Sequence, residues 1–274
     1  MKIKYLGTAA YEGVPSLFCN CRVCKQSALK GGRNIRTRSQ AIINDELLVD
    51  FPPDTVIHNH LYKFDWDKVE HCIITHNHSD HLLAEDLPIA SKGYSHPHKL
   101  FTVHATEEAY NKIDHVITNG VGKKNVEGLL DYKLVKEGEM LYIGEYEILP
   151  LPANHSGKPV FYAVSYKGKR LLYAHDTGYF PEISWELLKG FGTFDLVSLD
   201  CTGCYSAKYR DGHMCVEVCE EVIQRMKSEG MITDKTIAVL NHFSHNGGET
   251  YDELVKIAEP RGFIVSYDGL EIEF

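Results

Sequence analysis

The stretch Thr75-His76-Asn77-His78-Ser79-Asp80-His81 packs four candidate metal ligands into six residues. It follows the apolar, β-type segment Cys72-Ile73-Ile74 and precedes a helix-like segment from Leu82, which Pro88 should end or bend. Residues two apart on an extended strand end point the same way, so His76 and His78 can reach one ion together. The turn that follows directs Asp80 and His81 at a second ion beside the first. Imidazoles and a carboxylate suit zinc, manganese or iron better than calcium or magnesium. The competing reading is a polar loop rich in His by chance, and the partners found downstream argue against it.

Those partners stand in equivalent places. His155 falls in Pro152-Ala153-Asn154-His155-Ser156, after the strand-like Tyr146-Glu147-Ile148-Leu149. Asp176 falls in His175-Asp176-Thr177-Gly178, after the β run 170–174, and His242 follows the apolar run 236–240. Strand-to-loop junctions are where sheet proteins assemble their sites.

On these motifs the chain resembles the metallo-β-lactamase-fold hydrolases almost from end to end. The resemblance implies an α/β fold, an αββα sandwich of two mixed β-sheets flanked by helices, built as one domain over residues 1–274. It implies that His76, His78 and His155 hold one divalent ion and that Asp80, His81 and His242 hold the other. Asp176 would bridge the two, and Asp80 would serve catalysis as well as the metal. Zinc or manganese would occupy both positions.

A second cluster narrows the resemblance. Cys19-Asn20-Cys21-Arg22-Val23-Cys24 offers three thiolates, and structural zinc takes four ligands, with three Cys and one His among the common sets. His245, three residues past His242, is the natural fourth. The early Cys-x-Cys-x-x-Cys with the late His-x-x-His is similar to the phosphoribosyl cyclic phosphate phosphodiesterases of bacterial phosphonate breakdown. Gly7-Thr8, Asp200-Cys201 and the ending from Gly262 to Ile272 add to the likeness. His213 matches a catalytic His of that family. It stands where the chain enters a helix, and a helix N-terminus disfavours imidazolium but attracts phosphate. Its ring is therefore expected to be neutral in the free protein and protonated once a phosphate binds. Family members usually carry Asp-x-Gly where this chain has Asp50 followed by Phe51-Pro52-Pro53-Asp54, so that loop is expected to differ. The segment 107–133 also reads as longer and more helical than the family needs.

The resemblance implies metal-dependent hydrolysis of a small phosphodiester, cyclic in the nearest case. Two ions lower the pKa of a water held between them, hydroxide attacks phosphorus, and a positioned His protonates the leaving alkoxide. No Ser or Cys nucleophile is required, and no Walker-type phosphate loop is present. Four other readings share parts of the pattern. A tRNA 3′-processing endonuclease of this fold should carry a basic arm, and none is evident. A lactone or thioester hydrolase could use the same hydroxide. A flavodiiron-type oxidoreductase typically has Glu where this chain has His78. A zinc-stabilised interaction module would leave seven ligands unexplained.

Composition bounds the rest. A chain of 274 residues with 43% apolar content can bury a large core. Lys and Arg number 29 against 38 Asp and Glu, a formal net charge of −9, which disfavours a nucleic-acid partner. Bound metals reverse the sign locally, so a small anionic phosphate ester can still be drawn in. No apolar run approaches the roughly 20 residues of a membrane span. The N-terminus lacks the apolar core of a signal peptide, so eight Cys read as metal ligands and buried thiols, and the cytoplasm is the expected compartment. A monomer and a homodimer both remain open.

Strands are expected near 2–6, 40–44, 46–50, 71–75, 100–104, 131–135, 140–149, 160–166, 169–174, 195–200, 236–240 and 263–266. Apolar positions Cys215, Val218, Cys219, Val222, Ile223 and Met226 predict a helix over 214–227. Thr250 and Glu253 predict a capping box at the start of another, which stops before Pro260. Cys201 and Cys204 read as wall-forming rather than redox-active, and Cys215 and Cys219 as buried small hydrophobes. His58, His60, His96 and His98 read as surface residues.

Overall fold

Strand β9 (Val160–Tyr166) shows why the chain layers as it does. Val160, Tyr162 and Val164 face one apolar cluster while Phe161 and Ala163 face another, so both faces of the strand are buried. A sheet buried on both faces needs a second sheet on one side and helices on the other. The computed structural model, which describes residues 1–96 and 99–274, has that arrangement, α/β/β/α.

The first sheet holds β1 (Lys2–Gly7), β2 (Gln40–Ile43), β3 (Leu47–Val49), β4 (His71–Ile73), β5 (Phe101–Ala105) and β6 (Leu130–Leu134), with β14 (Glu271–Glu273) paired outside β1. The second runs from β7 (Leu141–Ile143) through β8 (Tyr146–Pro152), β9, β10 (Lys169–Ala174), β11 (Leu196–Asp200) and β12 (Ile237–Asn241) to β13 (Phe263–Val265). In each sheet a run of strands is parallel, β3 to β6 in the first and β10 to β13 in the second, and β8 points the same way as β10 because both pair antiparallel with β9. Parallel strands send their C-terminal loops to the same end, and that end carries the site.

Ile3, Tyr5 and Val49 meet Ile148, Tyr162 and Leu171 between the sheets. Burying a side chain of this kind fully is worth roughly 1.5–3 kcal/mol. The helices α1 (Arg22–Lys30), α2 (Thr55–Tyr62), α3 (Glu107–Asn119), α4 (Lys123–Val126), α5 (Glu182–Lys189), α6 (Val216–Ser228) and α7 (Tyr251–Ala258) complete the fold. Val216, Cys219, Val222 and Met226 form the inward stripe of α6. Thr250 N donates to Glu253 Oε2 at 2.9 Å, and the capping box opens α7. Among the described residues no helix is long and apolar enough to cross a membrane.

Several expectations need correction. The single strand over 140–149 is two, β7 and β8, because the chain turns at Gly144 with φ +54° and pairs back on itself. Strand β4 stops at Ile73, so His76 and His78 belong to the loop beyond it. Pro88 holds the segment Ala84–Ala90 to a 3-10 helix. His58 is buried, not on the surface: its ring lies between Gln40 Oε1 at 2.6 Å and Thr37 Oγ1 at 2.7 Å. His60 and His96 are exposed, and His98 lies outside the described residues. Cys201, Cys204, Cys215 and Cys219 are buried and free.

Candidate metal centre

The loop 74–82 is held from behind by Asp50. This residue sits in a left-handed conformation, φ +67°, just past β3. Its Oδ1 accepts Thr75 N at 2.8 Å and Thr75 Oγ1 at 2.9 Å, and its Oδ2 lies 2.7 Å from His81 Nδ1. A carboxylate on one ring nitrogen fixes the tautomer and aims the other nitrogen outward. Beyond His78 the chain turns tightly, with His81 N and Leu82 N both donating to His78 O. That turn swings Asp80 and His81 to the far side of His76 and His78.

The second sheet delivers the remaining residues from the ends of β8, β10 and β12. Asp176 and His242 both adopt left-handed conformations, φ +55° and +63°. Backbone of this kind costs free energy in non-glycine residues and clusters at functional sites. Gly178 is required nearby: a Cβ there would fall 2.4 Å from Arg210 O, so only glycine lets the Asp176 loop pass beneath the segment that carries His213.

His76, His78, His155 and Asp176 place one ligand atom each within 4.8 Å of one another, and Asp80, His81, Asp176 and His242 do the same beside them. Asp176 belongs to both sets. His155 Nε2 lies 3.3 Å from His78 Nδ1, and His81 Nε2 lies 3.3 Å from His242 Nε2. Two ligands on a tetrahedral ion at 2.0–2.1 Å sit about 3.3 Å apart, so these spacings fit an ion between the rings. His76 Nε2 is buried and makes no hydrogen bond, although Asp176 Oδ2 is 3.1 Å away. Asp176 Oδ1 is likewise buried without a hydrogen bond. Buried polar atoms left unpaired are costly unless something else satisfies them, and here they face a common point.

Charge is distributed to match. Burial, with His81 nearby, pushes the His76 imidazole down to about 4, leaving a lone pair free. Burial works against ionising Asp176, but His242, His76 and His81 hold its carboxyl well below the usual range. His155 Nδ1 faces Gly212 O at 3.0 Å, so its Nε2 points to the centre. His242 is aimed in the same way, by Thr202 Oγ1 at 2.8 Å from its Nδ1.

Asp200, at the end of β11, is the site residue that sequence reasoning left without a role. It is fully buried and accepts Asp176 N, Thr202 N and Met214 N at 3.0–3.1 Å. Its Oδ2 also lies 3.1 Å from His213 Nδ1 and 3.3 Å from His242 Nδ1. The Asp200-Cys201 motif was the available signal. Burial alone would lower the His213 pKa, but Asp200 and Asp176 outweigh it and push the ring up to about 9. The expectation of a neutral ring meets the opposite push here: the carboxylates of Asp200 and Asp176 lie within 3.2 Å of Nδ1 and favour the protonated form.

The cysteine motif folds against the same end of the molecule. Cys19 Sγ and Cys21 Sγ lie 3.6 and 3.5 Å from His245 Nδ1, and with Cys24 they form a third group of ligand atoms within 4.8 Å of one another. Zinc bonds of 2.3 Å to sulfur and 2.0–2.1 Å to nitrogen place tetrahedral neighbours about 3.6 Å apart, so this set fits zinc as well. Cys21 caps α1 by accepting Cys24 N at 3.4 Å. Burial raises its thiol, but that N–H and the neighbouring side chains bring it down to about 6, while burial pushes Cys24 up to about 12.

Comparison with known proteins agrees with this architecture. The chain is similar to the structure of a diphosphatase from the PhnP family, with 21% identity, a TM-score of 0.75, and coverage of 100% of this chain and 97% of that one. It is similar to Zn(2+)-bound PqqB from Methylobacterium extorquens, with 18% identity, a TM-score of 0.76, and full coverage of both chains. At these identities the likeness is one of fold. An octanoyltransferase from Porphyromonas gingivalis is 24% identical over 278 residues, covering 99% of this chain and 51% of that protein. The chain thus spans about half the length of that curated relative. The Beta-lactamase superfamily domain matches residues 46–243, which include all seven residues of the two ligand sets that share Asp176. The chain belongs to the beta-lactamase superfamily and has its metallo-hydrolase fold.

Proposed function

We propose that the chain is a dinuclear-metal phosphodiesterase acting on a small, cyclic phosphodiester. The observation that carries this reading is the pair of ligand sets meeting at Asp176, in which two buried polar atoms, His76 Nε2 and Asp176 Oδ1, make no hydrogen bond. His76, His78 and His155 would hold one divalent ion, zinc or manganese; Asp80, His81 and His242 would hold the other; and Asp176 would bridge them. Cys19, Cys21, Cys24 and His245 would hold a structural zinc. The ion pair, when bound, supplies hydroxide at neutral pH and offsets the charge that builds on the phosphoryl oxygens.

The chain's own residues do the rest. Burial opposes ionisation of Asp80, yet its contacts with His81 and His242 hold the carboxyl well below the usual range, so it is an anion able to orient a water as well as a metal. His213 lines the cleft over the centre with Nδ1 turned to Asp200 and Asp176. Its Nε2 is the nitrogen left to serve substrate, and a protonated ring there can give its proton to a departing alkoxide. Lys112, on α3, donates to Asn77 O at 3.2 Å and Leu82 O at 2.9 Å, which clamps both ends of the His-rich loop.

The test is hydrolysis of bis(4-nitrophenyl) phosphate and of a cyclic phosphodiester, before and after chelation and with metal restored. Turnover that chelator abolishes and metal restores is expected. A second reading, acyl-ester or thioester hydrolysis, is favoured by the similarity to the octanoyltransferase. Turnover of an octanoyl thioester, with neither diester cleaved, would replace the first reading with this one.

A further inference from the structure

The cleft over the centre measures about 500 Å³, and part of its lining lies outside the ligand sets. That part includes Tyr11, Glu12, Ser244, Asn246 and Tyr209. Glu12 is held firmly for a residue at a cleft surface. It accepts a hydrogen bond from Ser244 Oγ, and its Oε1 lies 3.6 Å from His245 Nε2. The opposite nitrogen of that ring faces Cys19 and Cys21, so the thiolate cluster, His245 and Glu12 form one connected unit. A carboxylate on the second nitrogen of a metal-facing His is a common orienting device, and here its exposed side is offered to the cleft.

The surrounding positive charge is engaged elsewhere. No Lys or Arg lines the cleft among the described residues. Arg38 pairs with Asp54 and donates to Tyr11 O, Lys208 pairs with Glu217, and Arg210 pairs with Glu221. A phosphate seated beside Glu12 would face its carboxylate with no Lys or Arg in the described lining of the cleft to offset it. Hydroxyl groups would instead find the acceptor of Glu12, the amide of Asn246 and the hydroxyl of Ser244, and a flat ring would find Tyr11 and Tyr209.

We propose that Glu12 sets substrate class: the arm of the diester beyond the reacting phosphorus is uncharged and hydroxyl-bearing, and a second phosphate on it is rejected. This rests on the phosphodiesterase reading. It separates the substrate from phosphoribosyl cyclic phosphate, which carries a second phosphate by its own name.

A pair of chromogenic diesters tests it: 4-nitrophenyl thymidine 5′-phosphate, with and without a phosphate on the 3′-oxygen. The metal-loaded protein should prefer the singly phosphorylated ester by at least about tenfold in kcat/KM, since like charges brought together in a cleft are strongly disfavoured. Glu12→Gln should narrow that ratio and Glu12→Lys should reverse it. Preference for the doubly phosphorylated ester, or equal rates on both, overturns the proposal. So does a ratio that Glu12→Gln leaves unchanged, or rejection of both thymidine esters while bis(4-nitrophenyl) phosphate is cleaved. Failure of all three diesters, and of the cyclic phosphodiester as well, overturns the phosphodiesterase reading, and this proposal with it; cleavage of the cyclic diester alone overturns this proposal only. Should Glu12→Lys not fold, the wild-type ratio and Glu12→Gln decide.

Discussion

His81 Nδ1 lies 2.7 Å from Asp50 Oδ2, and neither side chain has any solvent exposure. Asp50→Asn keeps the volume but leaves His81 facing a neutral amide. Metal affinity and kcat/KM should each fall roughly 10–100-fold, the usual cost of losing such a partner. Metal titration and steady-state kinetics check this, and unchanged values would show that Asp50 only packs.

Metal content should reach about three ions per chain, two at the His and Asp cluster and one at the cysteines, by elemental analysis of protein purified without chelator. A mild chelator should strip the cleft-facing pair before the thiolate site. One ion per chain after reconstitution, with full activity, would sink the two-metal mechanism.

Cys21→Ser should lower the melting temperature and also weaken metal binding at the His and Asp cluster. The link is short: His245 and His242 lie three residues apart, and Cys21 faces His245 at 3.5 Å. Wild-type melting together with a wild-type rate would show that the cysteines hold no structural ion.

His213→Ala should cut the rate on a poor alkoxide leaving group by roughly 10²–10⁴-fold, the usual size of general-acid assistance. Loss on a nitrophenolate ester should be much smaller, because that group departs without a proton. Equal losses on both, with metal content intact, would make His213 a substrate binder.

Burial pushes the His58 imidazole down to about 4, against about 6.5 in an unfolded chain. Between those values the unfolded chain binds the extra proton. The resulting stability is therefore complete above about pH 6.5 and lost as pH falls towards 4. From pH 7 to pH 5 this one group accounts for about 2 kcal/mol of lost stability. Urea unfolding of wild type and His58→Gln at both pH values measures it. An identical drop in the two proteins would assign the effect to other buried imidazoles.

The legible part of this chain was whatever rests on local pattern. Strand β9 announced itself by apolar content, α6 by its stripe from Cys215 to Met226, α7 by Thr250 and Glu253, and the seven clustered residues by their place after strands. What escaped depends on contacts distant in sequence. Nothing local marks His58 as buried, since Gln40 and Thr37 enclose it from about twenty residues away. The Asp200-Cys201 motif marks Asp200 as belonging to the pattern, but its role shows only once His213, His242 and Asp176 surround it. The upward push on His213 is hidden for the same reason: the helix start is visible in sequence, whereas the two carboxylates are brought in by the fold.

Four of the seven clustered side chains come from the loop after β4 in the first sheet, and three from the ends of β8, β10 and β12 in the second. Ions bound there would rivet the two sheets at one end. Neither half of the chain presents a full ligand set, so loading must wait until the sheets have closed, and whatever free energy the ions contribute would also hold the halves together. Stripping metal should then raise hydrogen exchange on both sides of the seam at once, in the loop after β4 as well as at the ends of β10 and β12. The centre would be a fastener as much as a reagent, and its occupancy a readout of completed folding.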